Sequence, residues 1–185
     1  MSVPGRSQAL IPEPFKGEGT PVSVPAPQAT AIPDDSPPDN PTRAHVAAAV
    51  ASGRRDVPLG ANPALQSLAA VLVEGTPGAL KIRFTMPPSS AQGNGVVGGG
   101  SLASALDMAM AMAVLSMLPP GRSCATISLS VNMLAPARVG DVFAHASVER
   151  VGRSVAFARA ALHDVGGRQL ASGTSSLAVL EERSV

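Results

Sequence analysis

The chain contains no tryptophan and no tyrosine, and only four phenylalanines among its 185 residues. Sequence-tolerant nucleic-acid binding needs aromatic faces to stack bases and a basic stripe to meet phosphates. With aromatics at 2% and a net charge of +1, the sequence offers neither, so no nucleic-acid partner is expected. The single cysteine, Cys124, excludes an internal disulfide, and no zinc cluster is present, so no metal is expected. A lone cysteine near a strand start reads as a small buried hydrophobe, consistent with a reducing, cytoplasmic compartment. The beginning of the chain lacks the basic-then-apolar pattern of a signal peptide. The apolar run Ala103–Leu118 is broken by Asp107 and too short to span a bilayer. A soluble protein with no membrane partner is the expectation.

What is present suits one domain with an aliphatic, methionine-containing core: 45% of the residues are hydrophobic. Residues 1–39 are rich in proline, which removes backbone donors and fixes φ. They read as an extended or disordered arm, with residues 40–185 as the folded domain. Asn40-Pro41-Thr42 is a helix start, and the Ala/Val run to Ala51 with Gly53 behind it is a helix and its stop. His45 reads as a surface residue of that helix. Ser67–Glu74 and Ala79–Met86 read as strands around a Gly75-Thr76-Pro77-Gly78 turn. After the central segment, Ala125–Leu134, Val142–Val151, Val155–His163 and Gln169–Leu180 read as antiparallel strands joined by hairpins. In the first of these, Ile127, Leu129, Val131 and Met133 share one face. Thr126, Ser128, Ser130 and Asn132 share the other.

The central segment is Gly93–Leu118, a glycine-dense loop running into a helix that is apolar on nearly every face. Such a helix is normally buried, which makes the carboxylate of Asp107 within it conspicuous. A sheet covering an all-round apolar helix must curve around it, so the fold class is α+β with an antiparallel sheet. The loop also matches G-x-G-x-x-G from Gly93 to Gly98. A dinucleotide site, however, needs the first glycine at a strand end, parallel βαβ units and an acidic residue closing the next strand. Pro87–Gln92 intervene here, and the later strands are antiparallel. No nucleotide cofactor is expected. His145 and His163 lie on strands and read as structural or exposed.

In these residues the chain resembles the hotdog-fold thioesterases of the phenylacetate-degradation and hydroxybenzoyl-CoA type, over roughly Leu59–Leu180. That family carries [N/Q]-x-x-G-x-x-H-G-G and then, seven residues on, Asp or Glu. Gln92, Gly95, Gly99, Gly100 and Asp107 match. A following T-x-x-L-x-V-N-[FM]-L-x-P-A strand is matched by Thr126, Leu129, Val131, Asn132, Met133, Leu134, Pro136 and Ala137. An R-x-G-R feature appears as Arg150, Gly152 and Arg153. The histidine of the H-G-G triplet is Gly98 here.

The resemblance implies a hotdog fold, a curved antiparallel sheet wrapped around one central helix, and hydrolysis of an acyl-CoA thioester. By resemblance the Gly99 amide donates to the oxyanion, and Asp107 serves as general base or as nucleophile. Gln92 holds the carbonyl or the water, and Thr126 reaches the site from the partner subunit. Gly98, Gly100, Asn132, Arg138, Arg150 and Arg153 contact substrate, the arginines through CoA phosphates. No cofactor is implied, because CoA belongs to the substrate. A homodimer or homotetramer with sites at the interface is implied. The physical chemistry agrees: first-turn amides lack partners and carry the positive dipole end, and glycines let a substrate approach them. Gly98 motivates an alternative, a non-catalytic acyl-CoA or lipid-binding hotdog protein. A hotdog dehydratase needs a histidine with its carboxylate, and neither loop nor helix holds one.

Overall fold

The computed structural model describes residues 39–182. The arm read from the sequence lies outside the described residues except for Asp39. Helix α1, Pro41–Ala51, starts on Asn40, whose Oδ1 accepts from the amides of Thr42 and Arg43 at 2.9 and 3.1 Å. Strand β1 is the short Val57–Pro58, and α2 is Pro63–Ser67, capped by Asn62. Strand β2 is Val71–Thr76 and β3 is Ala79–Met86. Ser67 thus ends a helical turn instead of opening a strand as the sequence suggested, because Asn62-Pro63 is itself a competent helix start. Gly78 closes the β2–β3 turn at φ +82°, its amide donating to Ser116 Oγ at 2.8 Å.

Helix α3, Gly99–Leu115, follows. Then come β4 (Arg122–Met133), β5 (Gly140–Val151), β6 (Val155–Asp164) and β7 (Gln169–Glu181). Among the described residues the strands form one antiparallel sheet of seven in the order β1-β2-β3-β5-β6-β7-β4. The expected hairpins join β5, β6 and β7. The expectation fails for β4, which pairs with β7 and not with β5. Helix α3 carries the chain across the sheet from β3 to the far edge, so β4 docks there and the chain must return to place β5 beside β3.

Helix α3 packs on β3, β4, β5, β6 and β7. Beneath it lie small buried side chains: Ala144 and Ala146 on β5, Ala156, Ala158 and Ala160 on β6, and Ala171 on β7. Leu102, Leu106 and Met110 of the helix are buried in return, and Phe84, Ile82 and Met86 close the core from β3. This curved sheet around a central helix is the hotdog architecture. The helix is not buried all round, as its composition suggested. A stripe through Gly100, Ser104, Asp107, Met108 and Ala111 stays exposed or half-buried because it faces the free edge at β4. None of the helices among the described residues is long and apolar enough to cross a membrane.

Arg43 is buried on α1 and ties that helix to the α3–β4 connection. Its Nε donates to Asp39 Oδ1 at 2.7 Å, its Nη2 pairs with Oδ2, and its Nη1 donates to the Leu118 carbonyl at 3.1 Å. The Gly121 amide also donates to Asp39, at 3.1 Å. These bonds, those from Arg43 foremost, hold the Asp39 carboxyl below the usual carboxylate range. A depressed carboxylate adds stability above its unfolded-state pKa and loses it as pH falls through the folded-state value. Asp39→Asn is therefore expected to lower Tm at neutral pH, with the gap to the unsubstituted protein narrowing below about pH 4 in thermal melts.

Candidate functional site

Two groups of residues on α3 and β4 carry unsatisfied or reactive polar atoms. The first is the start of the helix. Residues Ala91–Val97 fold back on themselves: the Gln92 amide donates to Val96 O at 2.7 Å, and Ala91 and Val97 form an isolated bridge. This return places Gly93 inside the loop and not at the end of a strand. The loop is pinned on both sides, Val97 N–H to Ala137 O at 2.9 Å and Gly98 N–H to Ser90 O at 2.9 Å. Gly98 is the N-cap and has no capping side chain, so the amides of Gly99 and Gly100 find no acceptor among the described residues. Orphan first-turn amides at a positive dipole end are suited to an oxyanion. A Cβ on Gly98 would stand 3.4 Å from Gln92 Nε2, so the Gln92 side chain occupies the space beside the cap. One on Gly99 would stand 3.4 Å from Met133 Cε.

The second group is built around Asp107. Thr126 Oγ1 donates to Asp107 Oδ1 at 2.8 Å within the same chain. A bulge makes this possible. Thr126 pairs with Leu177 and Ser128 with Ser176, which leaves Ile127 as an extra residue on β4. The alternation of faces therefore shifts by one. Cys124 and Thr126 face the helix before the bulge, and Val131 and Met133 face it after. The expected single polar face is split, with Ser128 turned outward onto Ser176 Oγ at 2.7 Å. Asn132 is outward too. It lines a depression of about 350 Å³ with His145, Ser147 and Arg159, on the side of the sheet away from α3. Among the described residues no cation lies within salt-bridge distance of Asp107.

The two groups are separate within one chain. Gly99 and Asp107 are eight residues apart, about 12 Å along the helix axis. The strand register extends this split to the arginines. Thr126 shares a cross-sheet row with Leu177, Ala156 and Val151, next to the β5–β6 turn that holds Arg153. Arg153 and Arg122 line a depression of about 590 Å³ at that end. Arg138 is exposed at the other end, near the Gly99 loop, with the length of β5 between it and Arg150. Ser90 belongs to this neighbourhood without any signal in the sequence, and Ala137 and Met133, matched there only as part of the strand motif, belong to it too. The first two act through backbone carbonyls, which leave no residue-type signal.

Cys124 is half-buried beside Asp107, its thiol 3.8 Å from Ala111 O. Burial, and secondarily the Asp107 charge, push the thiol up to about 11. Less thiolate means slower alkylation. Iodoacetamide at about pH 8 is expected to label Cys124 on the order of 100-fold more slowly than an ordinary thiol. The rate should climb about tenfold per pH unit without levelling off near pH 9, and rise several-fold in Asp107→Asn. Mass-spectrometric labelling rates check both.

The thioesterase superfamily model matches residues 94–171. A phenylacetic acid degradation-related protein of Ralstonia eutropha JMP134, provisionally described as a thioesterase, superposes with a TM-score of 0.60 at 30% identity, over 63% of this chain and 90% of its own. A Bacillus halodurans protein solved with CoA gives 0.52 at 29% identity, over 54% of this chain and 66% of its own. A provisionally named esterase of Halobacterium salinarum is 48% identical over 68 residues, 36% of this chain and 44% of that protein. The match thus spans less than half the length of that curated relative.

Proposed function

Since the chain belongs to the thioesterase superfamily, we propose that it hydrolyses an acyl-CoA thioester to the free acid and CoA. The observation that carries the reading is the pairing of orphan amides at the α3 start with a carboxylate on the same helix. The Gly99 amide donates to the thioester oxygen as it gains charge, a contribution of about 3 kcal/mol for one such donor. Asp107, oriented by Thr126, takes a proton from water. The hydroxide so formed attacks the carbonyl carbon, the C–S bond breaks, and the proton passes to the departing thiolate. Gln92 lies over the cap and steers the carbonyl or the water. Gly98 and Gly100 admit the substrate to the amide, and the exposed arginines meet CoA phosphates. CoA as the carrier is supported by the CoA-bound Bacillus halodurans relative.

A reacting carbon cannot sit beside both Gly99 and Asp107 of one chain when they are about 12 Å apart along the axis. The proposed site is therefore shared between two copies. Strand β4 presents an unpaired edge with Ile127, Leu129 and Met133 exposed by 59%, 37% and 46%. Such an edge is a template for pairing. Two β4 edges paired antiparallel about a two-fold axis would bring the Gly99 end of each chain toward the Asp107 end of the other. In this arrangement Arg138 of one copy joins Arg150 and Arg153 of the other, whereas Asn132 stays outside the reacting centre.

Free-thiol release from a panel of acyl-CoAs tests the reading. Asp107→Asn is expected to lower kcat at least ~100-fold with Tm unchanged. An Asp107→Asn protein of near-full activity would remove that role. Absence of turnover in the unsubstituted protein, with acyl-CoAs still raising Tm, would favour the binding protein that Gly98 motivates.

A further inference from the structure

Beside Gly99 lies a groove of about 320 Å³, lined by Val96, Val97, Leu102, Met133, Leu134 and Pro136 among others. No lining residue is charged and none is aromatic. Its floor is dry, with Val97 and Leu102 exposed by only 5% and 3%. Its wall is held from outside. Arg168 Nη2 donates to the Pro136 carbonyl at 3.1 Å, and Val97 N–H donates to Ala137 O at 2.9 Å. Arg168 is engaged by Asp164 through Nε at 3.2 Å, and exposed Arg138 does not line the groove. The groove's own lining therefore supplies no counterion for a carboxylate. A charged group carried into it would lose water without compensation.

Building on the hydrolase reading, we infer that this groove takes the acyl chain, that it selects uncharged, apolar acyl groups of medium length, and that Met133 sets the accepted length. The volume is near the lower limit of ligand pockets, which suits a medium chain. Met133 lines the groove together with Gly99, its Cε 3.4 Å from where a Gly99 Cβ would be, and it is half exposed at 46%. It is unbranched and adaptable, so its rotamer decides how far an acyl chain on the Gly99 amide extends.

The test is calorimetric binding to full-length Asp107→Asn of free CoA and the acetyl, butyryl, hexanoyl, octanoyl, decanoyl, palmitoyl, succinyl and phenylacetyl thioesters. Turnover by the unsubstituted protein is measured in parallel. Affinity is expected to rise about fourfold per methylene, then level off between hexanoyl and decanoyl. Succinyl-CoA is expected to bind at least about tenfold more weakly than butyryl-CoA. Adding Met133→Ala should move the plateau to longer chains and Met133→Phe to shorter ones, with free CoA binding unaffected. Equal affinity for CoA and every thioester overturns the inference, as does a plateau that neither variant moves. Length-dependent binding without any turnover upholds the groove and overturns the hydrolase reading instead.

Discussion

Helix α3 can lie against five strands because the residues beneath it are small. Ala144, Ala146, Ala156, Ala158, Ala160 and Ala171 present little more than methyl groups. At Gly173 not even that fits easily, since a Cβ would stand 3.1 Å from Ser130 O and 3.5 Å from Leu106 Cδ1. The leucines and methionines of the helix supply the missing volume. A chain almost without aromatic residues can therefore still fill its core at ordinary density, with the bulk on the helix and the space on the sheet. Close approach also fixes the height of both ends of α3 above the sheet, and thus where the orphan amides and the carboxylate stand.

The polar chemistry follows from that placement and from a single irregularity. Close packing leaves one helical stripe toward the free sheet edge, and Asp107 lies on it. Ile127 then shifts the face of β4 by one position, so Thr126 meets the carboxylate while Val131 and Met133 still cover the helix. A regular strand could satisfy only one of these demands, because side chains alternate with a period of two. The bulge keeps an apolar floor under the helix start and a hydroxyl beside the carboxylate on one continuous strand.

The elements themselves were largely legible in the amino-acid pattern. Strand β3 has the bounds its alternation suggests, and Asn40-Pro41 begins α1 as its chemistry requires. The helix that carries Asp107, and the glycines before it, were visible from spacing. What escaped was non-local or geometric. Nothing near β4 announces that it pairs with β7, because that pairing depends on where α3 delivers the chain. The run Thr126-Ile127-Ser128-Leu129 alternates without a flaw, so the bulge has no local signature and the pattern alone puts Thr126 on the wrong face. At Ser67 the pattern misleads because a short capped helix and the start of a strand look alike over a few residues. The carbonyls of Ser90 and Ala137 are structural, and any residue type would supply them.

The eight-residue spacing between Gly99 and Asp107 has a genetic meaning when sites are shared. A chain defective only at the carboxylate still lends a sound helix start to its neighbour, so two differently damaged alleles can complement each other in one assembly. A chain defective at both positions spoils each site of a mixed pair, since every site needs one half from it. Dominance would then depend not on how severe a lesion is but on whether the lesions fall on one copy or on two.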